Sequence, residues 1–186
     1  MVSGDRTHGG DLPRLHRANA HFVTPQLAIG GDLDPSLLVA LRQLDELVAA
    51  GVSHIVDVRI EASDADLVAR RWPHVRYLHH GIDDMGQRVP AEWFEEAAGF
   101  ALDAIAEGGV VLTHCHMGVN RGPSLGYAVL LGLGWDPVEA LAAIRTVRPI
   151  AYVDYAEDAL AWHHGRHGSR RAALRRDIAR LRRWRA

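Results

Sequence analysis

Residues 113–124 read Thr-His-Cys-His-Met-Gly-Val-Asn-Arg-Gly-Pro-Ser, which sets Cys115 and Arg121 six positions apart around Gly118. The apolar run Val110-Val111-Leu112 precedes them and a helix-like stretch follows from near Pro123. The segment is therefore expected to turn from a strand into a helix. A helix start collects unpaired N–H groups and the positive end of the helix dipole, and both favour an anion. That anion can be a bound phosphate or a thiolate. Thiols at such positions beside a cation ionise well below their ordinary pKa of about 8.5 and become nucleophiles at neutral pH. Arg121 adds a planar fork of donors that holds two phosphate oxygens at once, which a lysine ammonium does less well. A buried structural cysteine beside a surface arginine is the plainer reading, and it gives no reason for Gly118 or Pro123.

The pattern His-Cys-x5-Arg resembles the signature loop of the cysteine-dependent protein tyrosine phosphatases, and the surrounding residues are similar to their dual-specificity type. The resemblance implies that Cys115 is the nucleophile. It also implies that the loop His116, Met117, Gly118, Val119, Asn120 and Arg121 binds the phosphate, and that His114 is oriented by hydrogen bonds. Upstream, Tyr77-Leu78-His79-His80-Gly81-Ile82-Asp83-Asp84-Met85 resembles the segment that carries the family's general acid, and Trp93 to Phe100 resembles the helix after it. Counting back from Phe94, the acid falls on Asp84, with Asp83 as its neighbour. Such a group is needed because the departing alkoxide or phenoxide must be protonated, and the same carboxylate can then activate water against the phosphocysteine. An ordinary solvated acidic loop is the alternative. Further similar stretches, Leu27-Ala28-Ile29-Gly30-Gly31, Gly51 to Arg59, Asp136 to Ala140 and Val147 to Ala151, extend the resemblance over residues 22–165.

One position departs from the pattern. The family has Ser or Thr after the arginine, whose hydroxyl stabilises the sulfur as it leaves, and this chain has Gly122. Ser124 lies two residues on and is the candidate replacement. The main reading is a phosphatase acting on phosphotyrosine, and on phosphoserine or phosphothreonine, in proteins. The alternatives are the same fold aimed at a phosphoinositide, a nucleotide or an RNA 5′ phosphate, a low-turnover phosphate-binding module, and a sulfurtransferase.

Composition sets the frame for that chemistry. A chain of 186 residues, 48% apolar and 24% charged, suits one globular domain that buries roughly 70% of its unfolded surface. No apolar run approaches the ~18 residues of a membrane span, and Asp5, His8 and Asp11 among glycines make no signal-peptide core. The protein is expected to be cytoplasmic. Its one cysteine excludes an internal disulfide and suits a reducing compartment.

Strand and helix signals alternate along the chain. Asp34 and Pro35 suit a helix start before Leu37, Leu41, Leu44 and Val48, and Ile55-Val56-Asp57-Val58 reads as a buried strand. A short helix from Asp64 stops before Pro73, Val75 to Leu78 reads as a strand, and Pro90 opens a helix with Phe94, Ala97, Ala101 and Ile105 on one face. After the signature loop, Leu125, Val129 and Leu133 mark the buried side of a helix, and two more begin near Pro137 and Asp154. The expected fold is α/β, a central mostly parallel sheet flanked by helices, like the protein tyrosine phosphatases, with an extra basic C-terminal helix. The expected divisions are an N-terminal extension at 1–21, a catalytic domain at 22–168 and the helix at 169–186. In such sheets ligands bind beyond the carboxyl ends of the strands, where Cys115 falls.

The tail carries eight arginines and one acid, a balance of +7 against −9 for the rest of the chain. Leu174, Ile178, Leu181 and Trp184 make an apolar stripe along it. A last helix laid on the domain or on a twin subunit is the expected reading. An acidic partner or a membrane surface is the alternative, and nucleic acid is the weaker one. The 12 histidines include the adjacent pairs His79-His80 and His163-His164, and His114 and His116 on either side of Cys115. Neighbours on a strand face opposite ways, so an adjacent pair offers at most one ligand to a site, and a site shared between these groups needs a coincidence of the fold. No metal and no cofactor is expected. Asp57 and Arg59 read as a structural pair.

Overall fold

The computed structural model describes residues 12–185. Asp5, His8 and Asp11, with the rest of residues 1–11 of the expected extension, and Ala186 lie outside the described residues. In chain order the elements are β1 (Ala20–Thr24), β2 (Leu27–Gly30), α1 (Leu37–Ala49), β3 (His54–Asp57), α2 (Ala65–Arg71), β4 (Arg76–His79), α3 (Ala91–Ala106), β5 (Val111–His114), α4 (Arg121–Gly132), α5 (Pro137–Val147), α6 (Ala156–Arg166) and α7 (Arg171–Arg185).

The strands lie in the order β1-β2-β5-β3-β4, with β1 antiparallel to β2 and the other neighbours parallel. Leu27 opens the second strand. The strand before it gives a weak signal, because its apolar residues do not alternate cleanly, Pro25 ends it, and its register slips between Phe22 and Thr24. The strand pleat sorts the core onto two faces. Ile29, Val56 and Val111 pack with Phe94 of α3, Leu125 of α4 and Leu160 of α6, while Ala28, Ile55 and Leu112 pack with Leu44 of α1 and Val68 of α2.

Two helices differ from the expected reading. Helix α1 begins at Leu37 behind Ser36, and Asp34 sits further back, where its Oδ1 accepts from the Ser36 N–H at 2.8 Å. Helix α4 has no single buried stripe: every residue from Arg121 to Leu131 is buried, while Leu133 is 40% exposed as its C-cap. The cause is position, since α4 lies between strands β2 and β5 on one side and α3, α5 and α6 on the other. Helix α7 lies on α5 and α6 of its own chain, with Leu181 fully buried in the core and Leu174 and Ile178 packed against it. Among the described residues no helix is long and apolar enough to cross a membrane.

Candidate active site

Strand β5 ends at His114, and the chain then makes a loop of six residues before α4 begins. Neighbouring residues at the strand end point to opposite faces. Cys115 is buried in the core cluster on the α3 and α4 side, and His114 lines a small cavity on the α1 and α2 side with Ile55, Asp64, Tyr77 and Leu112. Gly118 turns the loop at φ +64°, where a Cβ would stand 2.3 Å from Arg148 Nη2 and 2.6 Å from the Gly30 carbonyl carbon. Both conformation and space require glycine there.

Arg148 explains the tight approach. It is buried, and it donates from Nε to the Gly118 carbonyl and from Nη2 to the Met117 carbonyl (3.0 Å) and Asn19 Oδ1 (2.9 Å). Burial pulls its pKa down, and attraction to Cys115 opposes that pull. The loop is also tied from residues 151–155, since the Tyr152 N–H donates to the Val119 carbonyl at 2.7 Å.

Arg121 stands at the start of α4 and is 5% exposed. Its Nη1 and Nη2 donate to the two Glu61 carboxylate oxygens at 2.9 and 2.7 Å, and Nη1 also donates to the Ile82 carbonyl at 3.1 Å. The Arg121 hydrogen bonds hold the Glu61 carboxyl down at about 2. Arg121 Nε is buried without a hydrogen-bond partner, 3.5 Å from Asp84 Oδ2. A buried unpaired donor is costly, and an oxygen of a phosphate placed here would supply what this one lacks.

The structure brings Asp84 to the loop. Its Oδ1 accepts from Asn120 Nδ2 at 2.6 Å and lies 3.2 Å from the Tyr155 hydroxyl. Asp83 takes part through its backbone carbonyl, which accepts from Gln87 Nε2 (2.7 Å) and from the Tyr155 hydroxyl (3.3 Å). Ser124 is fully buried, and its hydroxyl is directed at Asn120 Oδ1, 3.3 Å away. Asn120 Oδ1 also accepts from the Asp154 N–H at 2.7 Å. His116 and Met117 lie at the loop's outer side, where the His116 ring contacts Asp32 and both side chains are largely exposed.

Gly122 has a steric reason. A Cβ on it would meet the Cys115 nitrogen and the His114 carbonyl carbon at 3.0 Å, so the first turn of α4 lies against the end of β5. The Thr113 hydroxyl closes the same contact by donating to the Gly122 carbonyl at 3.0 Å.

Behind the loop, Asp57 and Arg59 form the pair expected of them, and more residues join it. Arg59 donates to Asp57 (2.8 and 2.7 Å), to Asp32 (2.6 Å) and to Asp64 (2.6 Å), and the Tyr77 hydroxyl donates to Asp57 at 2.6 Å. Burial alone would raise the Asp57 pKa, but the Arg59 hydrogen bonds and His114 overcome it and the net shift is downward. His114 Nε2 lies 3.7 Å from Asp57 Oδ1, and burial lowers its pKa against the pull of Asp57. Asp57, Asp64 and His114 bring ligand atoms within 4.8 Å of one another. Both carboxylates there are already engaged by the Arg59 guanidinium, whose positive charge would repel a metal ion brought between them.

Glu61, Arg148 and Tyr155 have no place in the sequence reading of the site, which takes Asn120 only as a member of the phosphate-binding loop. Glu61 carries a faint signal, standing two residues past Arg59 beyond the carboxyl end of β3. The others are joined to Cys115 only by folding.

No established family profile matches the chain. It is 30% identical over 136 residues to the mouse protein phosphatase Slingshot homolog 3, covering 70% of this chain and 19% of that protein. It is 30% identical over 132 residues to human dual specificity protein phosphatase 15, covering 69% of this chain and 40% of that one. The chain thus spans half or less of the length of these relatives. Among solved structures, Tk-PTP in its active form superposes with a TM-score of 0.63 at 26% identity, covering 80% of this chain and 97% of that one. PTPMT1 in complex with PI(5)P superposes with a TM-score of 0.65 at 20% identity, covering 81% and 97%.

Proposed function

We infer that this chain, which carries a phosphatase domain of the dual-specificity type, hydrolyses phosphate monoesters through a phosphocysteine. The observation that carries the reading is Arg121, buried at the base of the loop that follows Cys115 with its Nε unpartnered. In the first step the Cys115 thiolate attacks phosphorus, the bond to the ester oxygen breaks, and Asp84 gives its proton to the leaving oxygen. Arg121 and the N–H groups of residues 116–121 hold the equatorial oxygens, where charge builds up. In the second step Asp84 takes a proton from water, the water oxygen bonds to phosphorus, and the sulfur leaves as thiolate.

The substrate is a phosphorylated protein, first of all at phosphotyrosine and then at phosphoserine and phosphothreonine. Ile60, Met85, Met117 and Tyr152 are each more than half exposed on four different loops that reach Arg121 or the signature loop. Apolar side chains around a phosphate cradle suit an aryl ring and the residues beside it. A single cysteine working as a thiolate suits the reducing cytoplasm.

Phosphate release from an aryl phosphate is the direct test. Cys115→Ser is expected to abolish turnover while leaving binding of a phosphate analogue, because a serine hydroxyl is not ionised at pH 7 while Arg121 and the backbone cradle remain. Normal hydrolysis by that variant sinks the mechanism. A panel of phosphopeptides, phosphoinositides and 5′-phosphorylated RNA then tests the substrate class, and preference for either of the last two overturns the protein reading.

A further inference from the structure

Among the described residues Val153 is the one non-glycine with a left-handed backbone, at φ +58°. For a β-branched residue this conformation is strained and persists only where the surroundings over-determine it. Here the side chain is fully buried, the N–H is 3.4 Å from the Val119 carbonyl, and Arg185 Nη2 donates to the Val153 carbonyl. Arg185 is the last residue of α7 and half-buried, with its Nε unpartnered, and burial pulls its pKa down. An arginine serving only solubility would not be placed at that cost.

The same stretch is held at two more carbonyls from the outside. Arg145 donates from Nε to the Ala151 carbonyl (3.1 Å) and from Nη2 to the Tyr152 carbonyl (3.4 Å), and its guanidinium lies 5.4 Å from the centre of the Trp184 ring, also on α7. From the inside, residues 152–155 reach the reaction centre. The Tyr152 N–H bonds Val119, the Asp154 N–H bonds Asn120 Oδ1 at 2.7 Å, and the Tyr155 hydroxyl lies 3.2 Å from Asp84 Oδ1. With its Oδ1 engaged, the Asn120 amide presents Nδ2 to Asp84 at 2.6 Å.

We propose that the end of α7 positions the general acid, with Arg185 as the positioning residue. By holding Val153 in its strained conformation, Arg185 fixes the Asp154 N–H and the Tyr155 hydroxyl, and these with Asn120 hold Asp84 over Arg121. The proposal rests on the reading of Asp84 as the acid. Without Arg185, Val153 relaxes toward negative φ, Asn120 keeps only the longer Ser124 contact on its Oδ1 and its amide is held less firmly, and Asp84 leaves the position where it can protonate the ester oxygen.

The test uses the full chain and a series of aryl phosphates of graded leaving-group basicity. Arg185→Met keeps the apolar stem and removes the donor. It is expected to lower kcat/KM, which reports the step that expels the leaving group, for phenyl phosphate about 10- to 100-fold, the range that displacement of a catalytic group produces. For 2,4-dinitrophenyl phosphate, whose leaving group needs no proton, the loss is expected to be less than about twofold. Arg185→Lys recovers part of the loss. Asp84→Asn shows the same leaving-group pattern, and adding Arg185→Met to it causes no further loss, because the two act on one step.

A uniform loss of kcat/KM across all leaving groups, a lower melting temperature with an unchanged leaving-group slope in kcat/KM, or losses of kcat/KM that multiply with those of Asp84→Asn would each overturn the proposal. If Asp84→Asn itself shows no leaving-group dependence, the acid assignment fails and the proposal fails with it. If Asp84→Asn shows it and Arg185→Met does not, the acid stands and α7 is packing alone.

Discussion

Two clusters of charged residues sit back to back at the carboxyl ends of β3 and β5, and they differ in what is left over. On the α1 and α2 side, Arg59 is surrounded by Asp32, Asp57 and Asp64, with Tyr77 on Asp57, and the guanidinium and acids satisfy one another. On the other side Arg121 is held by Glu61 and Ile82 but keeps a buried Nε without a partner, beside Cys115 at the loop. The residue types are nearly the same. A closed set of partners makes structure, and an open set leaves donors for a ligand.

The contrast predicts that the open side loses rate when cut and the closed side loses stability. Asp84→Asn is expected to lower kcat by ~10²–10⁴, the usual size of a general-acid contribution, with little change in melting temperature. A larger loss from Asp83→Asn moves the acid by one residue. Arg59→Met leaves Asp57 buried without its cation, which costs about 3–5 kcal/mol, while the folded fraction retains its leaving-group dependence. Thermal unfolding at the parent temperature with Arg59→Met breaks the comparison.

A smaller effect is expected at Gly122. With no hydroxyl after Arg121 and the Ser124 hydroxyl directed at Asn120, sulfur departure should limit turnover. Rapid mixing with an aryl phosphate should then release about one equivalent of phenol per site before a slower steady state. Gly122→Ser crowds the Cys115 nitrogen, so Gly122→Ala serves as its steric control. A steady rate no higher for Ser than for Ala, with no burst in the parent, shows that the second step needs no hydroxyl here.

The smallest effect concerns acid pH. His163 is pushed down to about 4, first by burial and then by His167 and His164, while Asp177 pulls the other way. Between pH 6.5 and about 4 the unfolded chain takes up a proton that the folded one refuses, so stability falls as pH falls through that window. His163→Gln should flatten the decline in melting temperature by a few degrees where α6 meets α7. A decline as steep as the parent's assigns it to other groups.

Much of the phosphatase-type reading was legible in the sequence because its determinants are local. Cys115, Gly118 and Arg121 lie within one turn between a strand and a helix, and the periodicity that marks β5 and α3 is a property of consecutive residues. β1 was not legible, since an edge strand with a slipped register has no clean period. The all-round burial of α4 was hidden too, because it depends on which elements surround the helix. The partners of the site come from far along the chain: Glu61 on Arg121, Arg148 behind Gly118, Tyr155 and Asn120 on Asp84, and Arg185 on Val153. Sequence by itself determined the types and the local spacing, because propensity and pattern act between neighbours in the chain. Which arginine is saturated and which keeps a free donor was decided only by tertiary structure, since hydrogen bonds form between groups that folding brings within 3 Å or so of each other.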